Sequence, residues 1–170
     1  MGDLPMTYKI AFTGHRPSKI GGYDPNNVIR KEVIRQLSNI IVHSHIKHPG
    51  LHLITGGALG VDQDVARIAF VMKIPFTIAC PCHNMDSKWP VEAQKEFNRL
   101  LNVANVIHYV HDGPYNGPKC LQDRNEWMVD NCHELVAVWD GSSGGTHNCI
   151  RYASSKKVPI QRIDPNKFGH

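Results

Sequence analysis

Four short segments concentrate the residue types that can hold an anion or move a proton. They are Thr13-Gly14-His15-Arg16-Pro17, Gly56-Gly57-Ala58-Leu59-Gly60-Val61-Asp62, Cys80-Pro81-Cys82-His83 with Trp89 downstream, and Asp140-Gly141-Ser142-Ser143-Gly144-Gly145-Thr146. Glycine lets main-chain N–H groups approach an anion closely, and a helix that opens on such a loop adds partial positive charge. Two glycine loops of this kind in one chain of 170 residues point to phosphate binding. Neither has the GxGxxG dinucleotide pattern or the Walker lysine pattern. Arg124, in Asp123-Arg124-Asn125, suits bidentate recognition of phosphate or carboxylate, and so does Arg16 beside His15. A surface salt bridge is the plainer alternative for both.

Carboxylates and rings complete the inventory. Asp62 stands at a helix start, where a carboxylate most often caps for about 1 kcal/mol, but Asp62, Asp123 or Asp140 could also polarise water. Trp89, in a loop, could stack a base, whereas Trp127 within a helix and Trp139 at a strand end belong to packing. Cys80, Cys82 and His83 lack a fourth ligand at zinc spacing, so core thiols are expected and no metal site. His43, His45, His48 and His52 read as a solvated helix end.

Short apolar runs alternating with helical patterns must position these loops. Strands are expected at Tyr8–Phe12, Leu51–Thr55, Phe76–Ala79, Val106–Val110, Leu135–Trp139 and Pro159–Ile163. Asp24-Pro25 should start the first helix, Asp62 the second, Pro90 the third and Asp123 the fourth; the last runs from about Thr146 to Ser155. Six strands alternating with five helices, each strand apolar on both faces, predict an α/β three-layer sandwich around a mainly parallel sheet. In such sheets ligands bind outside the carboxyl ends of the strands, which is where all four segments fall.

Composition sets the bounds. With 41% hydrophobic and 20% charged residues the chain can bury a core, which excludes a disordered protein. The net charge of +4 is too small to mark a nucleic-acid track, so nucleic acid is disfavoured as a partner. Five scattered cysteines suit reduced thiols, and neither a signal peptide nor a membrane span is evident, so a cytoplasmic protein without membrane contact is expected. One domain over residues 1–170 is expected, with its core at about 7–165 and a frayed tail after Asp164.

Taken in order, TGHRP (13–17), GGY (21–23), ITGGALGVDQDVA (54–66), WP (89–90), DRNEWMVD (123–130) and AVWDGSSGGTHNC (137–149) resemble the SLOG superfamily, and within it the YpsA/YspA-like group. The resemblance spans about Ile10 to Pro165. It implies a Rossmann-like fold, a nucleotide or nucleotide-derived ligand on the glycine loops, and homo-oligomers such as a dimer. SLOG proteins have been proposed as sensors of such ligands in stress and anti-phage systems. The related Lonely Guy phosphoribohydrolases cleave the N-glycosidic bond of nucleoside monophosphates with an arginine and a PGGxGTxxE loop. Arg124 and Gly144-Gly145-Thr146 match parts of that pattern, but its acidic positions fall on Asn148 and Cys149, so the mechanism does not carry over. The DNA-processing protein A family shares the helix start Gly60-Val61-Asp62 and binds single-stranded DNA.

The expectation is therefore a nucleoside monophosphate or ADP-ribose-like ligand, with no cofactor. Its phosphate should lie on Gly144, Gly145 and Thr146 near Arg124 and Asn125, with Gly141 in the same loop. Sugar or base should lie near Gly56, Gly57, Ala58, Gly60 and Asp62. Thr13, Gly14, His15 and Arg16 would close one side, Trp89 would stack, and Asn148 would bond the ligand. The chain would act as a sensor or sequestering protein. The alternatives are an N-glycosidic hydrolase using Asp62, Arg124 and Asp140, and a single-stranded DNA binder.

Overall fold

A computed structural model describes residues 5–169. Its single sheet has six strands, β1 (Tyr8–Gly14), β2 (Leu51–Thr55), β3 (Phe76–Cys80), β4 (Val106–Tyr109), β5 (Glu134–Val138) and β6 (Ile160–Ile163). They lie in the order β4-β3-β2-β1-β5-β6, and every neighbouring pair is parallel. The helices are α1 (Val28–Lys47), α2 (Val61–Val71), α3 (Val91–Val103), α4 (Lys119–Asp130) and α5 (Gly145–Ser155). The chain winds outward from β1 to β4, then returns to the other side of β1 to lay down β5 and β6. Strand order thus reverses between β1 and β5, and a crevice opens there past their carboxyl ends.

The apolar strand residues pack on both faces. One core cluster joins Ile10, Phe12, Leu53, Phe76 and Val136 to the buried faces of α1, α2 and α3. The other places Ala11, Ile54, Ala79 and Leu135 against Met128, Val129, Cys149 and Ala153 from α4 and α5. A bidentate ion pair adds a polar tie beneath the first layer: Arg30 Nε and Nη2 donate to Asp64 Oδ2 and Oδ1 at 3.0 and 2.8 Å. Arg67 Nη1 donates to the same Asp64 and its Nε to Glu96, so α1, α2 and α3 share one charge network.

Several boundaries differ from the sequence expectation, each for a local reason. Asp24 does not start α1; its carboxylate closes a turn by accepting from the amide of Asn26, and Asn27 is the cap, accepting from Ile29 and Arg30. Asp62 lies inside the first turn of α2, whose cap is Gly60 at φ 97°. Helix α4 begins at Lys119, after Pro118, so Arg124 sits in its second turn rather than at its start. Lys119 supports that earlier start by reaching Asp123 one turn on, at 2.8 Å. The tail is not frayed over the described residues: Pro165–Lys167 form a 3₁₀ turn capped by Asp164, and Phe168 packs on the first core cluster. His170, like residues 1–4, lies outside the described residues.

Candidate functional site

A cavity of about 320 Å³ fills the crevice between β1 and β5. Thr13, Gly14, His15 and Arg16 form one wall as β1 ends, and Ser18 and Lys19 extend it. Ala58 and Asp62 enter from the β2–α2 connection, and Ser143, Gly144, Gly145 and Thr146 from the start of α5. Helix α4 contributes Leu121, Arg124, Asn125 and Met128, one face at helical spacing.

Arg124 is buried, with 7% of its surface exposed. Its Nη1 donates to the carbonyls of Gly56 and Ala79, at 2.5 and 3.3 Å, and its Nε donates to Asn125 Oδ1 at 3.0 Å. Asn125 Nδ2 in turn reaches Gly145 O at 3.4 Å, which ties the arginine to the start of α5. Among the described residues Nη2 has no partner. No fully buried side-chain nitrogen or oxygen there is left unpaired, so Nη2 opens onto the cavity that Arg124 lines.

Helix α5 opens on the same space. No side chain caps it, and Gly144 ahead of it stands at φ 141°, a conformation that favours glycine. The first amide to bond along the helix is that of Asn148, to Gly144 O at 3.0 Å. The amides of Gly145, Thr146 and His147 precede it without intrahelical acceptors, as the first turn of any helix requires. A guanidinium and an open helix N-terminus therefore meet in one crevice, a pairing suited to an anion.

Asp62 is the acid of the cavity, 7% exposed. Burial pushes its carboxyl up to about 6, against the opposing pull of Arg124 and the Ala58 amide. Oδ2 accepts from that amide at 3.2 Å. Asp140 has a different fate. Burial would raise its carboxyl, but the Ser142 hydroxyl and amide and the neighbouring His15 hold it well below the ordinary range. Ser142 Oγ lies 2.5 Å and His15 Nε2 2.8 Å from Asp140 Oδ1. Lys19 Nζ donates to Ser142 Oγ at 2.7 Å, and Asn166 Nδ2 to the Asp140 carbonyl at 3.2 Å. Asp140 is thus the anchor of the β5–α5 loop and does not line the cavity. Burial also lowers the pKa of His15, which leans its imidazole toward the neutral form.

The structure gathers Thr13, Gly14, His15, Arg16, Ala58, Asp62, Arg124, Asn125, Gly144, Gly145 and Thr146 around this cavity. It places the other sequence candidates elsewhere. Trp89 packs edge-on against Phe97, with ring centroids 5.3 Å apart, and belongs to the core. Asn148 is exposed on α5, and Cys149 is fully buried behind Thr13, its thiol pushed up to about 12 by burial. Asp123 is held by Lys119 and His111. Gly56, Gly57 and Gly60 serve close packing: a Cβ on Gly57 would stand 2.9 Å from Ile78, and one on Gly60 would stand 2.7 Å from the His15 carbonyl. Gly141 lies beside Arg162, off the cavity. Among the described residues no cluster of His, Cys, Asp or Glu could hold a metal. Sequence reasoning missed Ser18, Lys19, Ser143, Leu121 and Met128. The last two were recoverable from the i, i+3, i+4, i+7 stripe they form with Arg124 and Asn125.

An all-parallel sheet with helices on both faces and a polar crevice at its switch point defines a Rossmann-like α/β domain. The chain belongs to the YspA SLOG family, whose model matches residues 10–168. It is 37% identical over 131 residues to the uncharacterized SPbeta prophage-derived protein YoqJ of Bacillus subtilis, covering 66% of this chain and 76% of that one. A UPF0398 protein of Levilactobacillus brevis is 25% identical over 169 residues, covering 92% and 87% of the two chains. Among solved structures the fold is similar to DNA processing protein A from Helicobacter pylori, with a TM-score of 0.63 at 19% identity over 94% of this chain and 70% of that one. The same protein from Streptococcus pneumoniae gives 0.59 at 16% identity, over 92% and 50%. At these identities the structural likeness concerns the fold. No helix among the described residues is long and apolar enough to cross a membrane.

Proposed function

We propose that the chain binds a nucleotide or nucleotide-derived ligand, a nucleoside monophosphate or an ADP-ribose-like molecule, and acts as a sensor or sequestering protein. The observation that carries this reading is the meeting of the uncapped α5 N-terminus with the unpartnered Nη2 of buried Arg124. The phosphate sits there, and Arg16 and Lys19 at the rim give the cavity three cationic side chains against the single carboxylate of Asp62. That excess suits one small anion. Membership of the SLOG family supports the same ligand class.

A second reading, N-glycosidic hydrolysis releasing free base, draws on one observation: Asp62 faces the cavity with its carboxyl raised to about 6, near the range useful to a general base. Asp140 offers that chemistry little, since Ser142 and His15 occupy its carboxylate. DNA processing protein A from Helicobacter pylori, which shares the fold, has a single-stranded DNA binding mode. A DNA reading of this chain would require affinity that falls steeply with salt. Incubation with nucleoside monophosphates, NAD and ADP-ribose, followed by assays for bound ligand and free base, separates binding from hydrolysis, and single-stranded oligonucleotides run alongside test the DNA reading. Saturable binding without free base is expected. Release of base would establish the hydrolase, and binding of DNA oligonucleotides with no response to nucleotides would overturn the small-ligand reading.

A further inference from the structure

Asp62 and Arg124 are held as a pair by one stretch of backbone. The guanidinium donates through Nη1 to Gly56 O, and the carboxylate accepts through Oδ2 from the Ala58 amide. A Cβ on Gly56 would lie 2.5 Å from Arg124 Nη1 and 2.7 Å from Asp62 Oδ2, so the two groups flank a single point. They are nevertheless not ion-paired: Arg124 Nη1 and Asp62 Oδ2 contact the main chain, and Arg124 Nε contacts the Asn125 side chain. Each keeps one terminal atom without a protein partner among the described residues, Nη2 on the arginine and Oδ1 on the aspartate. Since no fully buried polar side-chain atom there lacks a partner, both atoms open onto the cavity. The site thus presents a fixed donor for an anion and, next to it, a fixed acceptor that calls for a hydroxyl or amine.

The closeness of the pair decides which donor the acceptor meets. In a nucleotide the sugar hydroxyls are a few bonds from the phosphorus, whereas the exocyclic amine of the base lies across the whole sugar and ring. A phosphate on Nη2 therefore brings the sugar, and not the far edge of the base, to Oδ1. We infer that Asp62 is a specificity residue that accepts a hydrogen bond from a free sugar hydroxyl of the bound nucleotide, so that the site takes free ribonucleotides and rejects analogues without those hydroxyls. This inference rests on the nucleotide-binding reading above. It also gives the free oxygen of Asp62 a partner other than water, which favours the binding role over hydrolysis. Interior positions of a DNA strand, which lack the 2′-hydroxyl and carry an esterified 3′-oxygen, offer Asp62 no donor.

A site built to bond a hydroxyl discriminates strongly against the analogue that lacks it, because its buried polar group is left unpaired. Equilibrium titrations of the full chain with AMP and with 2′,3′-dideoxy-AMP read this directly, and need no variant. The wild type should bind AMP at least tenfold more tightly than the dideoxy analogue, and Asp62→Ala should bind the two with similar affinity. Equal binding of the two by the wild type, or undiminished discrimination by Asp62→Ala, would overturn the role of Asp62 while leaving nucleotide binding intact. Failure of the wild type to bind either compound would overturn this inference, and failure to bind ADP-ribose as well would overturn the nucleotide reading.

Discussion

At Gly145 an added methyl group would meet nothing within 4 Å, whereas at Gly56 it would press into Arg124 and Asp62. The two glycines therefore answer different questions. Gly145→Ala should leave stability within about 0.5 kcal/mol, the usual range for a substitution that disturbs no packing. It should still weaken nucleotide binding at least tenfold, because the methyl occupies space at the open amides of α5; denaturant melts and calorimetry together check this. Gly56→Ala should cost roughly 1–3 kcal/mol through overpacking before any ligand is considered. Asp62 makes a third residue-scale prediction. Its carboxyl rises from the ordinary 3.8 to about 6 on folding, so its contribution to stability is full below 3.8 and is lost as pH rises through 6. Asp62→Asn should consequently be more stable than the wild type at pH 8, by up to about 3 kcal/mol, and no more stable at acidic pH. Urea melts at both pH values would show it, and a pH-independent difference would contradict it.

Elements are joined at two polar hubs. Asp64 accepts from Arg30 Nε and Nη2, tying α1 to α2, and from Arg67, whose Nε reaches Glu96 and so joins α3. Arg30→Ala leaves that buried carboxylate short of its main partner and should cost about 3–5 kcal/mol in a denaturant melt. The second hub is Asp140, whose carboxyl is depressed, so its stabilising bonds are present above the ordinary carboxylate range and lost as pH falls below it. In Asp140→Asn this acid-side loss should shrink, and hydrogen exchange should quicken across the β5–α5 loop that Asp140 holds. At this scale much was legible in the sequence. Apolar runs and helical spacing predict all six strands and five helices, because strands buried on both faces and amphipathic helices leave plain periodicities. Helix starts were harder to read: Asp24 and Asn27 both cap well in principle, but Asp24 accepts from the Asn26 amide and Asn27 takes the cap. That Arg124 belongs to the crevice was legible from its residue type and place in the sequence. Its grip on the Gly56 and Ala79 carbonyls was not, since those partners are 68 and 45 residues away. Trp89 misled for a related reason, as nothing local reveals that Phe97 packs against its edge.

In the whole molecule, the reversal of strand order between β1 and β5 brings together loops from distant parts of the chain. The +4 charge of the full sequence is modest, yet three cationic side chains converge on one crevice. That distribution fits a small anion better than a polymer, for which basic residues would extend along a groove. Affinity for a nucleotide should therefore fall only gently with added salt. The most direct test of the account is calorimetric titration of the full chain with AMP and ADP-ribose, run in parallel on the wild type and Gly145→Ala. The account predicts saturable one-to-one binding of at least one of them by the wild type, and binding at least tenfold weaker in a variant that melts like the wild type. Absence of binding to the wild type, or identical binding by the two proteins, would contradict it.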